Sequence, residues 1–408
     1  MGAFRFSDSI DQLHERASAA RGLSDFGEDD CRPALEVLCA SLDEDASLTP
    51  VGEFAFQSMI IDALEARLLV ERGWKENPEA AESEIRRPLF IIGLPRTGTT
   101  ALHHLLSQDP NLQALEHWLQ RTPKPRPPRA DWNADSDFQA AAARVDLLFE
   151  RSPEMRAIHE IEAHLPDECW NTFAQNFAHS SYEANADVHS YAKSWAQADM
   201  RPTYQRHRRT AQLLGLNEPS KRWLFKDATH LFSPEALLKI YPDAMIVQTH
   251  RDPVPVIASV LSLCSSSRAP LNTSFDAKAF GRSTLALWER GIYAMMDERE
   301  RRAAQLSSER AEKGERAEGQ AAPPAKQFYD LSFEQIVSDP LEAIRGIYAH
   351  FELEYSESAD QNIARYRKEN PKGKHGEHNY TLEEWGLDGE EIRERFQRYS
   401  DAYLPARR

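Results

Sequence analysis

The sequence has few of the features that mark secreted, membrane-spanning or metal-binding proteins. It contains only four cysteines in 408 residues, widely spaced, and they form neither a metal motif nor a redox motif. No apolar run approaches the length that spans a bilayer, and the first residues, Met1–Ser7, contain no apolar signal core. These absences predict a reduced, cytoplasmic protein with no transmembrane segment and no metal.

Basic residues are also fewer than acidic residues. The chain has 49 Lys and Arg against 65 Asp and Glu, which gives a formal net charge of −16. Proteins that bind nucleic acid need basic surface to neutralise phosphates, so this balance argues against a nucleic-acid partner while leaving room for a locally basic cleft. The length suffices for one large or two ordinary domains. The sequence does not specify an oligomeric state.

The run from Leu89 to Thr100 carries the most chemical information. It reads as a buried strand, a loop bounded by Gly93 and Gly98, and the start of a helix. The glycines have the G-x4-G spacing of a phosphate-binding loop, whose amides and following helix N-terminus form an anion site. Arg96 adds charge to this loop. The predicted hydroxyl donors are Thr97, Thr99 and Thr100. The alternative is an ordinary tight turn after a core strand.

This loop departs from the loop of nucleoside triphosphatases. Thr99 stands where those enzymes carry the Lys that grips the β- and γ-phosphates. The departure points to a phosphate-bearing donor other than ATP or GTP. Two other functions remain open: an atypical kinase or phosphotransferase that uses ATP and Mg²⁺, and a nucleotide-binding scaffold that has lost turnover.

Strand and helix patterns alternate beyond residue 85. Strands are predicted at Leu89–Ile92, Leu112–Leu115, Trp223–Asp227, Ala244–Thr249 and Gln327–Asp330. Strands separated by helices form parallel sheets with right-handed crossovers. We therefore predict an α/β fold of three layers, P-loop-like, with a central parallel sheet.

Helical patterns surround this predicted sheet. Residues 1–85 predict an N-terminal helical cap, and residues 86–408 the main domain. Within that domain, residues 136–215 read as a helical insertion. Residues 298–324 are rich in Ala, Glu and Arg, and they predict a helix extension that runs into a charged flexible linker.

Two segments, Pro95–Thr100 and His250–Ser259, together carry a resemblance to one enzyme family. In the second segment Arg251 follows a predicted strand and is followed eight residues later by Ser259. Together they resemble the sulfotransferases that use 3′-phosphoadenosine-5′-phosphosulfate (PAPS), especially the bacterial-type branch. The first is similar to that family's 5′-phosphosulfate loop, with Lys or Arg at the position of Arg96, and the second to its 3′-phosphate element. The resemblance runs from about residue 86 to residue 400.

The position and the side chain of Arg251 are suited to the phosphate-binding role that this resemblance implies. Arg251 comes at the carboxyl end of a parallel strand, where open α/β sheets place ligands, and a guanidinium can hold a phosphate through paired hydrogen bonds. A third segment, Asn370–His378, is similar to a family loop that closes over the 3′-phosphate. It implies contacts from Lys372 and Lys374. Pro371 stands where the family has Arg, and the alternative is a solvated basic loop.

The resemblance implies an activity: transfer of a sulfonate group from PAPS to a hydroxyl of a small or lipid-like alcohol or phenol. The other product would be adenosine 3′,5′-bisphosphate. Such a reaction needs a cation near the leaving phosphate oxygen. Lys226, at the end of a predicted strand, matches a family Lys near the transferred sulfonate. Its alternative role is an ion pair with Asp227.

A general base must also accept the proton of the acceptor hydroxyl. Glu116 follows the short second strand, where some sulfotransferases carry a catalytic Glu. His159 lies in the helical insertion that would cover the acceptor, and His230 is similar to a family Lys-x-His arrangement with longer spacing. The same acceptor-side insertion contains aromatic residues that form either an acceptor pocket or ordinary core: Trp170, Phe173, Phe177, Tyr182, Tyr191, Trp195 and Tyr204.

Overall fold

A central sheet of five parallel strands organises the molecule. The computed structural model describes residues 4–151, 161–312, 326–370 and 381–405. The strands are β1 (Leu89–Gly93), β2 (Leu112–Ala114), β3 (Arg222–Lys226), β4 (Met245–His250) and β5 (Phe328–Ser332). They lie in the order β2-β3-β1-β4-β5, and every neighbouring pair is parallel. The predicted α/β fold with a central parallel sheet is confirmed.

Helices precede the sheet and fill its connections. The helices before β3 are α1 (Ile10–Arg21), α2 (Arg32–Glu44), α3 (Pro50–Glu76), α4 (Thr99–Leu106), α5 (His117–Arg121), α6 (Ser136–Arg151), α7 (Trp170–Ala174), α8 (Ser181–Asn185), α9 (His189–Trp195) and α10 (Arg201–Leu214). Those after β3 are α11 (Pro234–Ile240), α12 (Pro253–Arg268), α13 (Ala277–Glu312), α14 (Phe333–Ser338), α15 (Pro340–His350), α16 (Glu357–Glu369), α17 (Gly389–Arg395) and α18 (Gln397–Tyr403). None of the described helices is both long and apolar enough to cross a membrane.

The central strand shows how helices cover both faces of the sheet. Successive side chains of a strand point to opposite faces. Accordingly Phe90 and Ile92 of β1 belong to one apolar cluster, whereas Leu89 and Ile91 belong to another, which includes residues of α4 and α15. The sheet therefore forms the middle of three layers, and both of its faces are dry.

The N-terminal helices pack onto the same core as the sheet. Ile60 and Leu64 of α3 lie in one apolar cluster with Phe90 of β1. Arg67, also on α3, is 1% exposed, and it donates hydrogen bonds to the carbonyl oxygens of Phe26 (2.6 Å) and Gln175 (3.1 Å). The helical region predicted for residues 1–85 thus extends the core around α7.

The charged stretch predicted as a linker is partly helical. Its residues 298–312 continue α13. Glu298 bonds to Arg301 at 2.7 Å and to Arg302 at 2.7 Å, the three- and four-residue spacings at which opposite charges stabilise a helix. This part of the stretch agrees with the predicted helix extension. Residues 313–325 lie outside the described residues.

Candidate functional site

The loop after β1 lies at the centre of the sheet's carboxyl edge, between the ends of β3 and β4. A Cβ atom on Gly93 would lie 2.2 Å from Thr249 Oγ1 and 2.8 Å from the Thr249 carbonyl oxygen, so only glycine fits between these strands. Gly98 has φ +89°, in the left-handed region that favours glycine. It directly precedes α4, whose first amide groups therefore face the loop.

Arg96, Arg251 and Ser259 come together at this edge. The Arg251 guanidinium donates to the Arg96 carbonyl oxygen (2.8 Å), and Arg96 Nε donates to Ser259 Oγ (3.1 Å). These contacts join residues more than 150 positions apart in the sequence. Arg96 has φ +65°, which is uncommon for a residue with a side chain and typical of strained functional loops. The arrangement concentrates two guanidinium groups and a hydroxyl beside the glycine-bounded loop.

Neighbouring elements hold Arg251 in place. Its guanidinium carbon lies 4.0 Å from the centre of the Phe333 ring. Its backbone N–H donates to the Tyr399 hydroxyl (3.2 Å), which anchors the end of β4 to α18. Asp252 accepts a hydrogen bond from Val254 N (3.0 Å) and so caps α12, the helix that carries Ser259.

The loop threonines divide into two groups. The Thr97 side chain is fully buried, and its hydroxyl contacts the Leu94 carbonyl oxygen (2.7 Å) and Thr249 Oγ1 (2.6 Å). The prediction that this hydroxyl contacts an anion is therefore wrong, because it braces the loop against β4. Thr99 and Thr100 are half-buried at the start of α4. The Thr100 hydroxyl lies 3.3 Å from Lys226 Nζ.

Lys226 ends β3 with a side chain that is 3% exposed. Besides Thr100, its ammonium group contacts the carboxylate of Glu168. Asp227 turns elsewhere: it accepts a hydrogen bond from Thr229 N (2.7 Å) and lies 3.4 Å from His179 Nε2. Burial opposes ionisation of Asp227, but His179 lowers its pKa overall. The ion pair between Lys226 and Asp227, weighed as an alternative, is replaced by one with Glu168.

His230 is a core residue. It is fully buried, and Nδ1 lies 2.8 Å from the Tyr204 hydroxyl. Its ring packs edge-on against Phe90 and Phe173, at centroid distances of 5.0 and 5.4 Å. Burial lowers the pKa of His230 to about 4. Its assignment as a candidate base is wrong, because an apolar aromatic shell separates it from any acceptor hydroxyl.

The Glu116 carboxylate is engaged by a buried arginine. Arg126 donates to Glu116 Oε2 from two nitrogens, at 3.1 and 2.9 Å. Both contacts go to one carboxylate oxygen and tie Glu116 into an ion pair with Arg126. His159, Lys372 and Lys374 lie outside the described residues, and their roles stay predictions.

The structure adds a histidine–aspartate pair that the sequence reasoning did not single out. His117 begins α5, and its Nδ1 lies 2.7 Å from Asp167 Oδ2. Asp167 precedes Glu168, the partner of Lys226. The available signal was the position of His117 two residues after a predicted strand. For Asp167 and Glu168 no sequence signal existed, because they lie in an irregular segment that only tertiary hydrogen bonds fix.

A partly open cavity of about 160 Å³ lies beside α5. Its apolar lining includes Met59, Ala63, Trp118, Ala141, Trp170 and Tyr182. Charged side chains line it as well: Arg21, Asp62, Glu65, Arg121, Asp137 and Arg144. Trp118 Nε1 and Asn171 Nδ2 are buried there, and no acceptor for either lies in the described part of the chain. Of the aromatic residues predicted for this region, Trp170 and Tyr182 line the cavity. The remaining aromatic residues are buried in the core: Phe173, Phe177, Tyr191, Trp195 and Tyr204.

Metal ligands do not cluster in the described ranges. No group of three or more His, Cys, Asp and Glu side chains there could hold a metal ion. Arg96, Arg251 and Lys226 bring positive charge to the sheet edge.

Comparison with known proteins gives a consistent match. The model of a family described as the sulfotransferase family matches residues 88–357, which include the loop, Lys226, Arg251 and Ser259. The chain is also similar to the omega-hydroxy-beta-dihydromenaquinone-9 sulfotransferase Stf3 of Mycobacterium tuberculosis and of Mycobacterium bovis. Each is 24% identical over 345 residues, which cover 78% of this chain and 76% of the relative.

Two solved structures share the whole architecture. Sulfotransferase STF1 from Mycobacterium tuberculosis is 36% identical, with a TM-score of 0.83 over 96% of this chain and 99% of that one. Sulfotransferase STF9 from Mycobacterium avium is 24% identical, with a TM-score of 0.85 over 99% of this chain and 98% of that one. The likeness extends beyond the family match and includes the N-terminal helices.

Proposed function

Since this chain belongs to the sulfotransferase family, we propose that it moves a sulfonate group from PAPS to a hydroxyl group of a small or lipid-like alcohol or phenol. One observation carries the choice of donor: Arg96, Arg251 and Ser259 converge beside the glycine-bounded loop. The donor has two anionic ends, a 3′-phosphate and a 5′-phosphosulfate. The site offers two matching regions on neighbouring strands.

The 3′-phosphate is assigned to Arg251 and Ser259. Arg251 can present paired donors to a phosphate, and Ser259 lies one contact away through Arg96. The 5′-phosphosulfate is assigned to Arg96, the amides of Gly98 to Thr100, and the hydroxyls of Thr99 and Thr100. Thr97 contributes only its backbone. The predicted contacts of Lys372 and Lys374 would close this site from the C-terminal side.

Lys226 is placed to act on the leaving group. Sulfonate transfer breaks the bond between sulfur and the bridging oxygen, and negative charge develops on the 5′-phosphate. The Lys226 ammonium lies beside Thr100, at the first turn of the helix that receives this phosphate. Its pairing with Glu168 orients it toward the loop.

Replacing Arg251 with alanine is expected to weaken binding of adenosine 3′,5′-bisphosphate by about 1.5–3 kcal/mol, because a charged hydrogen bond is lost. Calorimetry without metal measures this, with 5′-AMP and ATP–Mg²⁺ as comparison ligands. Arg208→Ala, which removes a half-buried arginine of α10, is the control and should leave affinity unchanged. Preference of the wild-type protein for ATP–Mg²⁺ would overturn the proposed donor.

The apolar part of the cavity beside α5 offers a place for a hydrocarbon group of the acceptor. Trp118 and Gln120 line the cavity from α5, the helix that starts at the carboxyl end of β2, and Trp170 lines it from α7, two residues after Glu168. An acceptor group in the cavity would thus lie next to the corner that holds Lys226. The relative Stf3 is named for a menaquinone-derived acceptor, which is consistent with a lipid-like class.

Filling the cavity should impair acceptor binding selectively. Ala141→Phe is expected to raise the KM for 4-butylphenol about tenfold or more, because a hydrocarbon group loses its place, while the Kd of adenosine 3′,5′-bisphosphate stays the same. Ala143→Phe, at an exposed position of the same helix, is the matched control. Equal KM values for the two variants would show that the acceptor binds elsewhere.

A further inference from the structure

The catalytic base is the part of the site that the predicted residues leave open. Glu116 is bound by Arg126, and His230 lies in the core. His179 is also engaged at both ring nitrogens: Nδ1 accepts from Ser181 N (3.0 Å), and Nε2 lies 2.9 Å from Thr229 Oγ1. Glu116 and His179 are thus committed to contacts inside the protein, and aromatic rings enclose His230.

His117 has a different arrangement. Within the described part of the chain, Asp167 holds the ring of His117 through Nδ1, which lies 2.7 Å from Oδ2. Both side chains are about nine-tenths buried, with exposures of 11% and 9%. A carboxylate that accepts the Nδ1 proton fixes the tautomer in which Nε2 carries a lone pair. The pair therefore directs the basic nitrogen away from Asp167.

The backbone places this pair beside Lys226. Asp167 N donates to the Leu115 carbonyl oxygen (2.8 Å), and Cys169 N donates to the Lys226 carbonyl oxygen (3.1 Å). A single short segment thus bridges the ends of β2 and β3. Its neighbouring residues Asp167 and Glu168, with Cα atoms about 3.8 Å apart, hold His117 and Lys226 respectively.

We propose that His117 is the general base of the reaction and that Asp167 is its positioning residue. This assignment rests on the proposed sulfonate transfer. His117 Nε2 takes the proton of the acceptor hydroxyl as its oxygen forms the new bond to sulfur. The bond from sulfur to the bridging oxygen breaks, and its electron pair stays on the 5′-phosphate, next to Lys226. The Asp167 carboxylate balances the charge of the resulting imidazolium.

The geometry sets the acceptor in the same corner. His117 begins α5, and the next residue, Trp118, lines the cavity beside this helix. An acceptor whose apolar part occupies that cavity would bring its hydroxyl toward the first turn of α5. His117, the cavity proposed for the substrate alcohol or phenol, and the Lys226 ammonium thus all lie around two short elements. These elements are α5 and the segment 165–169.

The test compares His117→Ala and His117→Gln with the wild-type enzyme, using PAPS and 4-butylphenol. Both variants are expected to lose about 10²–10⁴ in kcat, with the Kd of adenosine 3′,5′-bisphosphate within twofold of wild type. Added imidazole should restore part of the activity of His117→Ala, a readout that a purely structural residue would not give. His164→Gln, a partly exposed histidine of the same region, is the control and should retain full activity.

Asp167→Asn separates positioning from proton transfer. An amide can donate to Nδ1 and favour the wrong tautomer, so kcat should fall at least tenfold with KM little changed. His117→Gln retains a side chain that can donate to Asp167, which guards against loss of the fold. Unchanged kcat in both His117 variants, with wild-type transfer and nucleotide binding intact, would overturn this proposal alone. Absence of sulfonate transfer by the wild type would instead overturn the proposed function.

Discussion

Replacing Lys226 with methionine is expected to lower kcat for sulfonate transfer by about 10²–10³, the loss that follows removal of one preorganised charge partner of a transition state. The side chain is buried and lies at the first turn of α4, so bulk water cannot substitute for it. Because charge on the leaving phosphate grows during bond breaking, affinity for the bound nucleotide should fall far less than turnover. Single-turnover rates with PAPS, together with calorimetry of adenosine 3′,5′-bisphosphate, measure the two effects.

The Lys226→Met variant also leaves the Glu168 carboxylate without its ion-pair partner, so a control must separate the two effects. The double variant Lys226→Met with Glu168→Gln removes that unpaired charge and should not recover turnover. Lys221→Met removes a comparable lysine, which pairs with Glu218 at the opposite end of β3, and should leave turnover unchanged. Recovery of activity in the double variant would mean that Lys226 serves only to neutralise Glu168.

The sheet could be predicted because each strand has a recognisable pattern in its local sequence. Short runs such as Leu89–Ile92 and Ala244–Val247 are apolar throughout, as is typical of strands covered on both faces, and helix signals separate them. The boundary errors are small, and the order β2-β3-β1-β4-β5 is a tertiary property that no local pattern contains. In the charged stretch 298–324, the predicted helix extension continues to residue 312, and the flexible linker stays a prediction because residues 313–325 lie outside the described residues.

The two ligand-facing motifs could be located because each directly follows a strand. Parallel strands end at one edge, so Arg96 and Arg251 had to be neighbours once β1 and β4 paired. Side-chain direction was the missing information. Thr97 lies in the loop itself, yet its hydroxyl contacts Thr249 of β4. His230 lies shortly after the end of β3, yet its ring packs among aromatic side chains.

Replacing Arg126 with methionine is expected to lower the free energy of unfolding by about 3 kcal/mol or more, since the change leaves buried acceptors without their donor. Its guanidinium, 5% exposed, bonds to Glu116 (2.9 Å), Glu218 (3.1 Å) and Gln113 (2.6 Å), and also to the backbone of β2. It thereby holds the edge strand to the chain that enters β3. Denaturant unfolding followed by tryptophan fluorescence measures the loss.

The neighbouring Arg129 supplies the matched control for this prediction. It is an exposed residue that stacks on the Trp132 ring at 4.1 Å, so Arg129→Met should cost no more than about 1 kcal/mol. Adding Glu116→Gln to Arg126→Met should recover part of the stability, because the more buried of the two orphaned carboxylates is then uncharged. A loss below about 1 kcal/mol in Arg126→Met itself would mean that desolvation of these charges cancels their attraction. In that case the ion pair with Arg126 would not be needed for stability, and the Glu116 carboxylate would again be a candidate general base beside His117.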